Sequence, residues 1–73
     1  KKYVPYKENI STRLLELTKE RALSQAKLAK EIGVTQKAID FWEKGINEPK
    51  ASYIVKLAYF FNVTADYILG IEE

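Results

Sequence analysis

The chain of 73 residues contains no cysteine and no histidine. Without cysteine there is neither a disulfide nor a thiolate metal site to staple the fold. Without histidine there is no imidazole ligand for a metal and no histidine general base. No pair of carboxylates falls on a recognisable cleft. The chain therefore reads as no enzyme, with no metal and no cofactor. Glycine and proline are scarce, at three and two, and they fall at segment boundaries. No apolar run approaches the ~20 residues that span a bilayer, and no secretory signal is visible. The absence of cysteine suits a reducing compartment, and the expected location is cytoplasmic. The sequence opens Lys1-Lys2 without Met, as expected of a chain trimmed from a longer protein.

What is present looks globular. Hydrophobic residues make up 47% and charged residues 30%, which is the composition of a folded domain rather than a disordered one. The length fits one small domain with a single core. Twelve basic against ten acidic residues leave a net charge of +2, a slight pull towards nucleic acid.

Residues 1–8 show no helical period, and Pro5 biases Val4 towards extended backbone. We read them as an arm whose Tyr3, Val4 and Tyr6 pack on the body, with DNA or subunit contact as the second reading. Residues 9–70 read as five short helices and residues 71–73 as a tail. Asn9, Ser24, Thr35 and Thr64 are good N-caps. Ile10, Leu14, Leu17 and Arg21 share one face of the first helix. Leu28, Ala29 and Ile32 face inward on the second, which Gly33 ends in the left-handed conformation. Val34 is tucked in. Ile39 and Trp42 line the inner face of the third, and Gly45 stops it. Pro49 closes the next loop. Ile54, Leu57, Ala58 and Phe61 face inward on a fourth helix from about Ala51 to Phe61. Ile68 and Leu69 are apolar on the fifth, before Gly70. No segment carries the turn-bounded alternation of a strand pair. The fold class is compact all-α.

The informative stretch is SQAKLAKEIGVTQKAIDFWEKG. Two capped helices of about two turns are joined through a glycine, a tucked valine and a threonine cap. That combination sends the second helix off steeply, as in a helix-turn-helix. Its back is anchored by Ile39 and Trp42, and its polar start projects outward. The major groove of B-DNA admits such a helix.

These residues carry a resemblance. Leu23-Ser24-Gln25, Leu28-Ala29, Ile32-Gly33-Val34-Thr35, Ile39, Trp42-Glu43-Lys44-Gly45, Pro49, Leu57-Ala58, Asn62-Val63-Thr64 and Tyr67-Ile68-Leu69-Gly70 follow one another in order. Residues 10–70 thereby resemble the phage-repressor (Cro/Xre-like) family of helix-turn-helix DNA-binding domains. The resemblance implies a sequence-specific regulator of transcription, a repressor, binding a two-fold-symmetric operator in double-stranded DNA as a homodimer.

Carried over residue by residue, it implies base contacts from Gln36, Lys37, Asp40 and Phe41. A glutamine suits adenine, a lysine guanine, an aspartate cytosine N4 and a phenylalanine the thymine methyl. For Asp40 the alternative is repulsion of phosphate. It implies phosphate contacts from Gln25, Thr35, Lys44, Asn47 and Lys50, which position without specifying. Gln25 also braces the third helix. Trp42 is core. Glu43 is an acid that the family often pairs with a first-helix arginine; here that position is Thr18, so Arg21 or a lysine is the expected partner. The loop after Gly45 reads Ile46-Asn47-Glu48, where the family is often basic. Lys50 replaces the usual Ser or Thr cap of the fourth helix. Lys27 and Lys30, on the outer face of the second helix, read as solubilising charges, with binding as the second reading. Tyr53, Tyr59, Phe60 and Tyr67 exceed what one small core needs. They either finish the core or, with Ile71, form a surface: Tyr59, Phe60, Tyr67 and Ile71 are the candidate dimer interface. The competing function class is a protein-interaction module, such as an antitoxin or a bridging factor that holds a regulatory partner.

Overall fold

The computed structural model describes the backbone of residues 6–71 and the side chains of residues 9–71. Tyr3 and Val4 lie outside the described residues, as does the side chain of Tyr6. Five helices follow one another: α1 (Tyr6–Glu20), α2 (Gln25–Ile32), α3 (Gln36–Lys44), α4 (Ala51–Phe61) and α5 (Ala65–Leu69). Among the described residues there is no strand. None of these helices is long and apolar enough to cross a membrane.

The apolar spacing builds the core as expected. Ile10, Leu14 and Leu17 from α1 meet Leu28, Ala29 and Ile32 from α2 and Ile39 and Trp42 from α3. Ile54, Leu57, Ala58 and Phe61 from α4 and Ile68 from α5 close it. α1 packs on α3 and α5, α2 packs on α3 and α4, and α4 packs on α5. α3 is thus clamped on two sides, by α1 and by α2.

Two expectations about α1 are corrected. The helix begins at Tyr6, so Asn9 lies inside it rather than capping it. A proline immediately upstream is compatible with a helix start, because the first turn needs no intrahelical N–H bond there. Asn9 instead turns its side chain towards the end of α5, where Gly70 lies against it. Arg21 is not on the buried face either. It falls in the turn after α1, exposed, and its guanidinium donates to the backbone carbonyl of Phe61 at 2.6 Å. The last carbonyls of a helix lack intrahelical donors and favour a cation. α4 has no basic residue in its own last turn, and Arg21 supplies one from outside. The guanidinium also stands 5.3 Å from the Phe61 ring centre.

Candidate nucleic-acid interface

The turn between α2 and α3 is built from local chemistry. The Ser24 hydroxyl accepts from the Lys27 N–H at 3.1 Å and caps α2. Gly33, at φ +86°, ends α2 by donating to the Ala29 carbonyl, and Val34 N–H donates to the same oxygen. Thr35 then returns to extended backbone, and its hydroxyl accepts from Ala38 N–H at 3.1 Å. This is the αL stop followed by a side-chain cap that re-aims a helix within three residues.

α3 is divided by face. Ile39 is fully buried and Trp42 is 5% exposed, its ring 5.7 Å from that of Tyr53. On the other side Thr35, Gln36, Lys37 and Lys44 are exposed, while Asp40, Phe41 and Glu43 are half-buried. The Lys37 ammonium stands 5.6 Å from the centre of the Phe41 ring, within the range of a cation–π contact. Asn47 is exposed in the following loop. Lys50 is exposed at the N-cap of α4 and makes no side-chain capping bond. Gln36, Lys37, Asp40 and Phe41 therefore share one short helix, with Gln25 packed across it.

The partner of Glu43 differs from expectation. It is neither Arg21 nor a lysine but Gln25, whose Nε2 donates to Glu43 Oε1 at 2.9 Å. The same nitrogen donates to Asp40 Oδ1 at 3.0 Å. The other Asp40 oxygen pairs with Lys44 Nζ at 3.0 Å. The Gln25 amide, then the Lys44 ammonium, hold the Asp40 carboxyl below its ordinary pKa. The Gln25 carbonyl faces Gln36, whose Nε2 lies 3.4 Å away. Ser11 in α1 donates its hydroxyl to the Glu43 backbone carbonyl. Sequence reasoning assigned Gln25 a bracing role but missed both carboxylates it braces. The signal was available: a primary amide carries two donors, and Asp40 and Glu43 stand three apart on the facing helix. Thr18, at the position where an arginine was expected, is buried and donates to the Leu15 carbonyl at 3.1 Å.

The candidate dimer residues are not alike. Tyr59 is 84% exposed and Ile71 is 56% exposed. Phe60 is half-buried and meets Phe61 edge-on at 5.0 Å. Tyr67 is half-buried under the Arg13 guanidinium, 4.6 Å above its ring.

A short capped helix, a left-handed glycine and a second capped helix with a polar outer start define a helix-turn-helix domain. The chain belongs to the helix-turn-helix family of the Cro/C1 type, whose family model matches residues 14–68. It is a DNA-binding domain and not an enzyme. The chain is also similar to an uncharacterized HTH-type transcriptional regulator, YobD of Bacillus subtilis (strain 168), at 33% identity over 61 residues. That similarity takes in 84% of this chain and 54% of the relative, so the chain spans about half the length of the curated relative it matches. No solved structure matches the chain.

Proposed function

We propose that this domain regulates transcription as a repressor, by laying the start of α3 into the major groove of a two-fold-symmetric operator. The observation that carries the reading is the arrangement of α3. Its back is fixed by Ile39 and Trp42, and its first turn, Gln36 and Lys37, is exposed beside a turn that caps itself. Gln36, Lys37 and Phe41 face base edges. Asp40, already paired with Lys44, contributes by relieving its own charge near the phosphates rather than by reading cytosine. Thr35, Lys44, Asn47 and Lys50 contact phosphates. The contact of Gln25 falls to its backbone N–H, which opens α2 and belongs to the donors a helix leaves unpaired. The similarity to an HTH-type transcriptional regulator supports the regulatory role.

On this reading two copies meet through Tyr59, Ile71 and the outer edges of Phe60 and Tyr67, and set their α3 helices about 34 Å apart, one turn of DNA. Selection from random duplexes followed by salt titration tests it. The expected result is a palindromic consensus and a steep linear fall of log K with log salt. Recovery of no enriched sequence refutes the groove reading. Elution as a monomer at high concentration, with and without the selected duplex, refutes the dimer.

A second reading, a module that holds a protein partner, is favoured by one feature. An apolar cleft of roughly 320 Å³ lies between α1, α4 and α5, lined by Ile10, Pro49, Ile54, Val55 and Leu69. Val55 at its rim is half exposed. A Val55→Lys change that leaves DNA binding intact but abolishes regulation in cells would move the weight to this reading.

A further inference from the structure

Resting on the reading that α3 enters a groove, we infer that Asp40 and Glu43 are specificity-positioning residues. Together they fix the direction of the Gln25 amide, and through it they decide which edge of Gln36 faces the DNA.

The argument is one of donors and acceptors. A primary amide has two N–H donors and one carbonyl, whereas ionised carboxylates only accept. Gln25 Nε2 lies 3.0 Å from Asp40 Oδ1 and 2.9 Å from Glu43 Oε1. Both of its N–H bonds are therefore spent on carboxylates. Reversing the amide would set its oxygen against two carboxylate oxygens. That exchanges two charge-assisted bonds for two repulsions. The direction follows from chemistry, and Gln25 presents a carbonyl to Gln36. Gln36 Nε2 stands 3.4 Å from that carbonyl. One Gln36 N–H is thereby committed, leaving one N–H and one carbonyl for the groove.

One donor beside one acceptor matches adenine, which offers N7 as acceptor and its N6 amino group as donor. The reversed Gln25 would donate to the Gln36 carbonyl instead. Gln36 would then show two N–H groups, a pattern that suits guanine N7 and O6. Neither acid touches the base on this account. They choose between two purines by holding one amide the right way round. Lys44 secures the arrangement from outside by taking the Asp40 oxygen that Gln25 does not use. Ser11 secures the backbone of Glu43 from α1.

The test compares selections from random duplexes for the wild type, for Gln36→Ala and for the isosteric double variant Asp40→Asn/Glu43→Gln. Gln36→Ala identifies the base pair that Gln36 reads. There the wild type should prefer adenine over guanine by about tenfold or more. The double variant should bring the two purines close to parity or reverse them, with the remaining positions of the consensus unchanged. A purely structural role would weaken all positions alike. An undiminished adenine preference in the folded double variant overturns the inference, and so does guanine at that position in the wild type. A second measurement needs no DNA and covers the case of a variant that does not fold. In the ¹⁵N-labelled wild type, both Gln25 side-chain amide protons should exchange with solvent more slowly than those of the exposed Asn47. Equal exchange overturns the clamp. Failure of the wild type to select any sequence, with the Gln25 protons protected, strikes the groove reading and leaves the clamp standing.

Discussion

Gly33 and Gly70 have nearly the same backbone and should respond very differently to one methyl group. Their φ angles are +86° and +80°. A non-glycine residue in this left-handed region costs about 1–2 kcal/mol. Stiffening the unfolded chain by Gly→Ala returns about 0.4–1 kcal/mol. At Gly33 nothing lies within 4 Å of an added Cβ, so Gly33→Ala should destabilise by the difference, about 1 kcal/mol. At Gly70 the added Cβ would fall 2.6 Å from Asn9 Cγ and 2.7 Å from Asn9 Cβ. The amide end of Asn9 can swing away, but its Cβ is fixed to the backbone of α1, so α1 and α5 must part. Overpacking of this kind adds about 1–3 kcal/mol, for a total of about 2–4 kcal/mol. Urea denaturation followed by the fluorescence of Trp42, the chain's one tryptophan, measures both. Asn9→Ala in the Gly70→Ala background should recover only part of the loss, since it removes Cγ and leaves Cβ. Equal destabilisation by the two glycine substitutions would refute the contact argument.

Gln36→Ala should relax specificity at one base pair, by about 1–3 kcal/mol. Lys50→Ala should weaken all sequences alike and lower the salt slope by about 1; fluorescence anisotropy at several salt concentrations separates the two. Arg21→Ala removes the external donor to the Phe61 carbonyl and should cost about 1.5 kcal/mol in urea, the low end for a charged bond because Arg21 is an exposed residue. Asp40 has a lowered pKa in the folded state. The unfolded chain therefore takes up its proton first as pH falls, and the contribution of Asp40 is full above its ordinary value of about 3.9 and is lost on descent through the folded value. Asp40→Asn should flatten the acid limb of the stability curve below about pH 4 and leave the neutral region's slope unchanged.

The core was legible because its buried apolar residues on the helices fall on helical stripes, and Ile10 through Ile68 repeat that spacing with few interruptions. The cap of α3 was legible because a Thr after a Gly-Val pair has a local mechanism. The start of α1 was not, since a helix needs no side-chain cap where its first N–H groups can meet water, and Asn9 looked like a cap only in one dimension. Arg21 misled in the same way: its spacing matched the buried face, but the helix ends before it, and the acceptor it serves is a backbone carbonyl forty residues on. The Gln25 network was half legible. Its residue types were plain, but which acid met which amide depends on the crossing of α2 over α3, a tertiary fact that no spacing encodes.

That network also bears on affinity. Of the two lysines on α3, Lys44 is paired with Asp40 and Lys37 leans over Phe41. An exposed cation–π contact is worth about 0.5–1 kcal/mol, weak enough for Lys37 to exchange it for a base or phosphate. The loop after α3 sets Glu48 close to its one cation, Lys50. On the proposed reading each copy brings few cations to the phosphates, so the steep salt dependence belongs to the paired copies, since sequence-independent grip scales with the phosphates neutralised. On the proposed reading, specificity then rests on base edges held in fixed orientations, and affinity rests on joining two such faces on one duplex. Joining turns the second binding step into an intramolecular one without any new contact. On that reading the exposed Tyr59 and Ile71 serve the same function as Gln36: a lightly charged face gains its affinity by joining a second copy.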